Sequence, residues 1–204
     1  MKDTNSSTLP LQWREIVKET ANIIKKGGVV LYPTDTIWGI GCDATNEEAV
    51  RRIYEIKKRE DGKALLLLID HDAKLPGIVG NVPSMAYQLI DMAIRPLTII
   101  YPSAKNIASN LLPKEGTIGI RITKEPFSNA LCKAIKVPLV STSANISGEA
   151  SPTSFKDISP EIKEAVDYIV PIRQEEENRC QASEIISIGK NNEIKVIRGI
   201  RSEE

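Results

Sequence analysis

Histidine occurs once in this 204-residue sequence, at His71, and cysteine three times, at Cys42, Cys132 and Cys180. A single histidine removes whole mechanisms. A Ser-His-Asp or Cys-His relay would have to run through His71, which stands in the polar stretch "IDHDAKLPG" with no nucleophile-elbow motif to serve. It reads as a surface residue. No histidine-rich metal site can be assembled, and no run of carboxylates has the spacing of a dedicated cation loop. Three distant cysteines make neither a disulfide framework nor a zinc spacing, as expected in a reducing interior, where they serve as packing or surface residues. The nucleotide signatures GxxxxGK[ST] and GxGxxG are also missing. Net charge is missing too: Lys+Arg and Asp+Glu number 27 each, which argues against bulk capture of nucleic acid or membrane and leaves room for a local basic cleft. No apolar run approaches a membrane span, and "MKDTNSSTLPLQW" has no signal-peptide core, so the expected location is cytoplasmic.

What is present is ordinary globular material, 41% hydrophobic and 26% charged, arranged as alternating helix and strand patterns. Trp13, Ile16, Val17, Ile23 and Ile24 recur at helical spacing over 11–26, and Gly27-Gly28 ends them. "VVLY" reads as a buried strand, and Thr45-x-x-Glu48 as a capping box opening the next helix. "ALLLLI" (64–69), "LTIIY" (97–101), "TIGIRI" (117–122) and "PLVSTS" (138–143) are further strands, with helices around 84–94 and 126–136. "EIISI" and "EIKVIRG" close the chain as two strands joined by the turn "GKNNE". Late strands without intervening helices predict a mixed sheet. The expected architecture is α/β, a single domain over 1–204 with a twisted mixed sheet flanked by helices and a flexible tail at 1–10.

Two polar concentrations interrupt this pattern. After Pro33 come Thr34, Asp35 and Thr36; after the strand "PLV" come Ser141, Thr142, Ser143 and Asn145, then Ser147-Gly148 and Ser151-Pro152. Small hydroxyls with a following glycine let backbone N–H groups approach an anion, and the same residues also favour plain turns. Lys57 is the third oddity. It follows Val50, Ile53 and Tyr54 at i, i+3, i+4, i+7, on the core-facing stripe, with Arg59 two residues later. Either its stem lies on apolar neighbours and its ammonium reaches water, or the pair of cations faces a cleft and holds phosphate oxygens. Ligands of open α/β sheets collect at the carboxyl ends of strands, where both hydroxyl clusters fall.

The series "YPTDTIWGIGCDA", "IYEIKKR", "KALLLLI", "PLT", "IGIRI", "STSANISGEASPT" and "VIRG" resembles the YrdC-like threonylcarbamoyl-AMP synthases over nearly the whole chain, in the short, single-domain form. Its centre is Lys57-x-Arg59 followed by Ser143-x-Asn145. The resemblance implies a concave cationic cleft and a nucleotidyl transfer that makes threonylcarbamoyl-adenylate and pyrophosphate from L-threonine, bicarbonate or CO₂, and ATP with Mg²⁺. A separate transferase would then modify tRNA. It implies Lys57 and Arg59 as catalytic and ATP-binding residues, with Thr117, Ser143, Asn145, Ser151 and Arg198 completing the ATP site. Thr34, Arg121, Ser141 and Ser183 would line the threonine side, and no resident metal site is implied. The chain departs from the family at Arg95, just before Pro96-Leu97-Thr98, where many members have Pro-Gly, at Leu68, where many have histidine, and over 174–183. The rival readings are a YciO-like protein that binds structured RNA or a nucleotide without catalysis, and a different ATP-dependent carbamoylation.

Overall fold

A computed structural model describes residues 9–59, 65–176, 182–189 and 191–199. The helices are α1 (Leu11–Lys25), α2 (Glu47–Ile56), α3 (Leu75–Ile78), α4 (Ser84–Met92), α5 (Pro126–Ile135) and α6 (Pro160–Ala165). The strands are β1 (Val30–Tyr32), β2 (Gly39–Gly41), β3 (Leu66–Ile69), β4 (Leu97–Tyr101), β5 (Ile118–Ile122), β6 (Leu139–Ser143), β7 (Tyr168–Ile169), β8 (Glu184–Ile188) and β9 (Ile194–Arg198). They form one mixed sheet in the order β7-β1-β2-β6-β3-β5-β4-β8-β9. Its β1/β7, β3/β5 and β4/β8 pairs are parallel and the other five antiparallel.

Strand alternation sends successive side chains to opposite faces, and two apolar cores result. On one face, α1 and α5 cover Val30, Tyr32, Leu68 and Leu139 with Val17, Ala21, Ile24, Phe127 and Leu131. On the other, α2 brings Ala49, Val50, Ile53 and Tyr54 against Leu31, Ile40, Leu67 and Val140. The first face is covered only in part. Along β6 the same face reads Leu139, Ser141, Ser143, so the strand turns polar as it leaves the helices.

The predicted strands and helices are all present, with ends shifted by a residue or two. The capping box is not. Asn46 caps α2, its side chain accepting from Ala49 N at 3.1 Å, while Thr45 turns back to Asp43 through its amide and its hydroxyl. An Asx-type contact two residues back satisfied Thr45 and moved the cap on by one position. Of the predicted tail, residues 1–8 lie outside the described residues. Pro10 O accepts from Trp13 N and Arg14 N, so residues 9–10 belong to the start of α1. Cys42 and Cys132 are buried, and desolvation pushes both thiols up; Cys180 lies outside the described residues. His71 is exposed and accepts from Ala73 N to start a short 3₁₀ turn.

Candidate active site

The uncovered part of the α1/α5 face is a cavity of about 250 Å³. Its floor is sheet: Leu66, Thr98, Ile100, Gly119 and Arg121, with Gly39, Ser141 and Ser143 beside them. Two glycines keep it open. A Cβ on Gly39 would stand 3.3 Å from Ser141 Oγ and Thr34 Cγ2, and one on Gly119 would stand 3.3 Å from Thr98 Cγ2. The loop that follows β1 supplies Thr34, Thr36 and Trp38 to the wall, and the segment after β6 supplies Ser151. Ala182, Ser183 and Arg198 close the β8/β9 side, and Thr117 stands at the start of β5.

Eight sequence-predicted residues therefore meet in one cavity: Thr34, Thr117, Arg121, Ser141, Ser143, Ser151, Ser183 and Arg198. Lys57, Arg59 and Asn145 do not line it. Lys57 is 1% exposed, so its ammonium does not reach water; it lies behind the wall. Its Nζ donates to Ser143 O at 2.5 Å and Asn145 O at 2.6 Å, and Ser147 N donates back to Lys57 O at 2.8 Å. The end of α2 explains the aim. Arg59 N bonds Tyr54 O and Lys58 N bonds Glu55 O, a Schellman closure with Lys58 in the left-handed region at φ 49°. That reversal leaves Lys57 on the core stripe and turns Arg59 back toward the helix. Burial, then the charge of Arg59, pull the Lys57 ammonium down to about 8.

At the opposite end stands Arg121, 3% exposed. Its Nη2 is 3.1 Å from Asp35 Oδ1 as an ion pair without hydrogen-bond alignment. Its Nη1 donates to Thr36 Oγ1 at 3.4 Å, and its Nε has no acceptor among the described residues. The hydroxyls form a directed chain. Thr34 Oγ1 donates to Ile37 O at 2.7 Å, so the 3.0 Å contact with Thr36 Oγ1 is donated by Thr36. Tyr32 OH donates to Ser141 Oγ at 2.8 Å in full burial, and desolvation raises its phenol. Ser183 is buried, its Oγ 2.9 Å from Thr98 Oγ1. Arg198 donates from Nε to Ser183 O at 2.9 Å; burial and the nearby Arg121 charge lower its guanidinium.

Asp35, Thr36, Thr98, Tyr32 and Trp38 were given no role by sequence reading. Thr98 faces Arg121 in the β4/β5 register, and only the strand order reveals that neighbour. Asp35 and Thr36 had a signal, their place in a hydroxyl-rich break after β1. Trp38 packs against Phe155 with ring centroids 4.8 Å apart, anchoring the segment that follows Ser151. Among the described residues no group of three or more His, Cys, Asp or Glu side chains could hold a metal.

The profile of the Sua5/YciO/YrdC family, described as telomere recombination, matches residues 22–199. The chain belongs to this family. It is 36% identical over 185 residues to a putative threonylcarbamoyl-AMP synthase of Methanocaldococcus jannaschii, covering 88% of this chain and 84% of that one. It is 34% identical over 150 residues to the threonylcarbamoyl-AMP synthase of Pseudoalteromonas translucida, covering 72% and 80%. Among solved family structures, P. abyssi Sua5 with L-threonine superposes at a TM-score of 0.75 with 27% identity over 84% of this chain. The chain spans 50% of that Sua5 chain. E. coli YciO superposes at 0.78 with 25% identity, covering 91% of this chain and 89% of that one.

Proposed function

We propose that this chain is a threonylcarbamoyl-AMP synthase, a nucleotidyltransferase that converts L-threonine, CO₂ or bicarbonate, and ATP into threonylcarbamoyl-adenylate and pyrophosphate. The observation that carries the reading is one cavity with a buried guanidinium at one end and, at the other, a hydroxyl-rich turn braced by a buried ammonium. The curated relatives bearing that name support it, as does the threonine complex of P. abyssi Sua5.

In this reading Arg121 takes the carboxylate of threonine, since a guanidinium fork fits paired oxygens. Thr34, Ser141 and Ser183 line the amino-acid end. Ser143, Ser151, Thr117 and Arg198 hold the nucleotide, and Asn145, outside the lining, contributes by holding Lys57 through its carbonyl. Lys57 has three N–H donors and commits two to neutral carbonyls, and no carboxylate among the described residues pairs with it. With Arg59 it offsets the charge that accumulates as pyrophosphate leaves. The neutral amine of threonine adds to CO₂ and gives up one N–H proton to water, leaving a carbamate. A carbamate oxygen then attacks the α-phosphorus, and the bond to pyrophosphate breaks. No protein nucleophile is required, so positioning and charge stabilisation suffice. Mg²⁺ belongs with the ATP as substrate metal. The product is an activated acyl donor for a separate transferase acting on tRNA.

The test is to incubate the protein with ATP, bicarbonate and labelled L-threonine and follow pyrophosphate and the labile adenylate. Threonine-dependent release of both is expected. ATP binding without pyrophosphate release would instead fit a non-catalytic YciO-like protein, and threonine-independent turnover would reject the assignment.

A further inference from the structure

Arg121 is the buried cation of the amino-acid end, and its surroundings are incomplete in a specific way. A guanidinium presents five N–H donors in a planar fork, with Nε–H and one Nη2–H on the same edge. That edge is the one suited to a carboxylate held by two parallel bonds. Among the described residues Nε finds no acceptor, and Nη2 meets Asp35 at 3.1 Å without alignment. The other contact is the 3.4 Å bond from Nη1 to Thr36 Oγ1. Asp35 thus neutralises Arg121 without filling its best edge. Asp35 also has somewhere to go. Its side chain is 15% exposed, against 3% for Arg121, and it faces a second cavity of about 140 Å³ bounded by Leu97, Ile122, Arg95 and Lys124. On the Arg121 side Arg173 pairs with Glu125 and Glu176 and Arg198 is held by Ser183, while Arg95 and Lys124 offer cations on the side of the second cavity.

We infer that Asp35 is a resident carboxylate that holds Arg121 before substrate binds, yields the Nε/Nη2 edge to the carboxylate of the incoming amino acid, and turns toward the second cavity. Asp35 is a positioning residue, acting through Arg121. Its charge keeps a buried guanidinium paired before substrate arrives. The same charge opposes the substrate's carboxylate, so affinity for the amino acid is set below what Arg121 alone would give. Asp35 thereby tunes amino-acid affinity, and it leaves the nucleotide end alone. This inference rests on the synthase reading for the identity of its ligand.

The experiment is calorimetric titration of the full chain and of Asp35→Asn with L-threonine and with L-threoninol, which keeps the amine and side chain and lacks the carboxylate. Asp35→Asn keeps the shape and removes the charge. L-Threonine should bind the variant about tenfold more tightly, the worth of one partly screened charge pair. L-Threoninol should bind both proteins alike. Asp35→Glu, which restores the charge on a longer stem, should return the weaker binding. Unchanged or weaker L-threonine binding to a folded Asp35→Asn, or an equal gain for L-threoninol, overturns the inference and leaves the synthase reading standing. Failure of the unsubstituted chain to bind L-threonine takes both down.

Discussion

The two ends of the cavity treat their buried cations differently. Lys57 is satisfied by neutral partners, the backbone carbonyls of Ser143 and Asn145, and Arg121 by a charged one, Asp35. A cation held by carbonyls keeps its full charge and its field extends into the site, which suits a ligand that brings several negative charges at once. A cation held by a carboxylate is neutralised until another carboxylate takes its place, which suits a ligand bringing one charge in one orientation. In the proposed function the first arrangement serves the nucleotide and the second the amino acid.

The contrast breaks most sharply at Lys57. Lys57→Met keeps the stem and removes the ammonium, which takes its donor from Asn145 O, while Ser143 O keeps the 3.0 Å bond from Asn145 N. Loss of a preorganised charge of this kind lowers kcat/KM by about 10²–10³-fold. Steady-state kinetics should show that loss, and thermal melting should show a folded protein weakened by about 1–3 kcal/mol for the acceptor left without a donor. Full activity in this variant would remove Lys57 from the phosphate end.

A pH series sharpens the same point. The Lys57 ammonium is lowered from its ordinary 10.5 to about 8 by burial and by Arg59. Above pH 8 the charge is lost, and apparent ATP affinity should fall up to about tenfold per pH unit, in direct binding measurements with threonine absent. Stability should move the other way. Between about pH 8 and 10.5 the unfolded chain binds the proton that the folded chain has lost, so this group's contribution to unfolding free energy rises across that window, by about 3 kcal/mol at most. Neutral lysine still has two N–H donors for two carbonyls, so the brace survives deprotonation. A parallel fall of stability and ATP affinity above pH 8 would contradict this arrangement.

The smallest effect belongs to the hydroxyls. Tyr32→Phe removes the buried donor to Ser141 Oγ and should cost about 1–2 kcal/mol of stability in denaturant titration. Threonine KM should rise a few-fold with ATP KM unchanged. An ATP-specific effect would place Ser141 at the wrong end.

Much of the fold and part of the site were legible in the sequence. The stripe Val50, Ile53, Tyr54, Lys57 correctly put Lys57 on the buried face of α2, because helical periodicity is local. Its meaning was not local: the carbonyls that take its protons come 86 and 88 residues later. The hydroxyl clusters announced themselves by composition, and their convergence depends on β2 pairing with β6. Thr98 and Asp35 escaped for a similar reason. Thr98 is one polar residue in an apolar strand, and Asp35 looks like turn chemistry until Arg121 is brought beside it. The capping box failed on competition within four residues, where Asp43 claimed Thr45 first.

The division of labour between the two ends is tested most directly by crossed titrations, with ATP and L-threonine each measured against Lys57→Met and Arg121→Gln by calorimetry. The expected pattern is crossed: Lys57→Met loses ATP binding and keeps L-threonine, and Arg121→Gln loses L-threonine and keeps ATP. Equal loss of both ligands in both folded variants, or the reverse pattern, would contradict it.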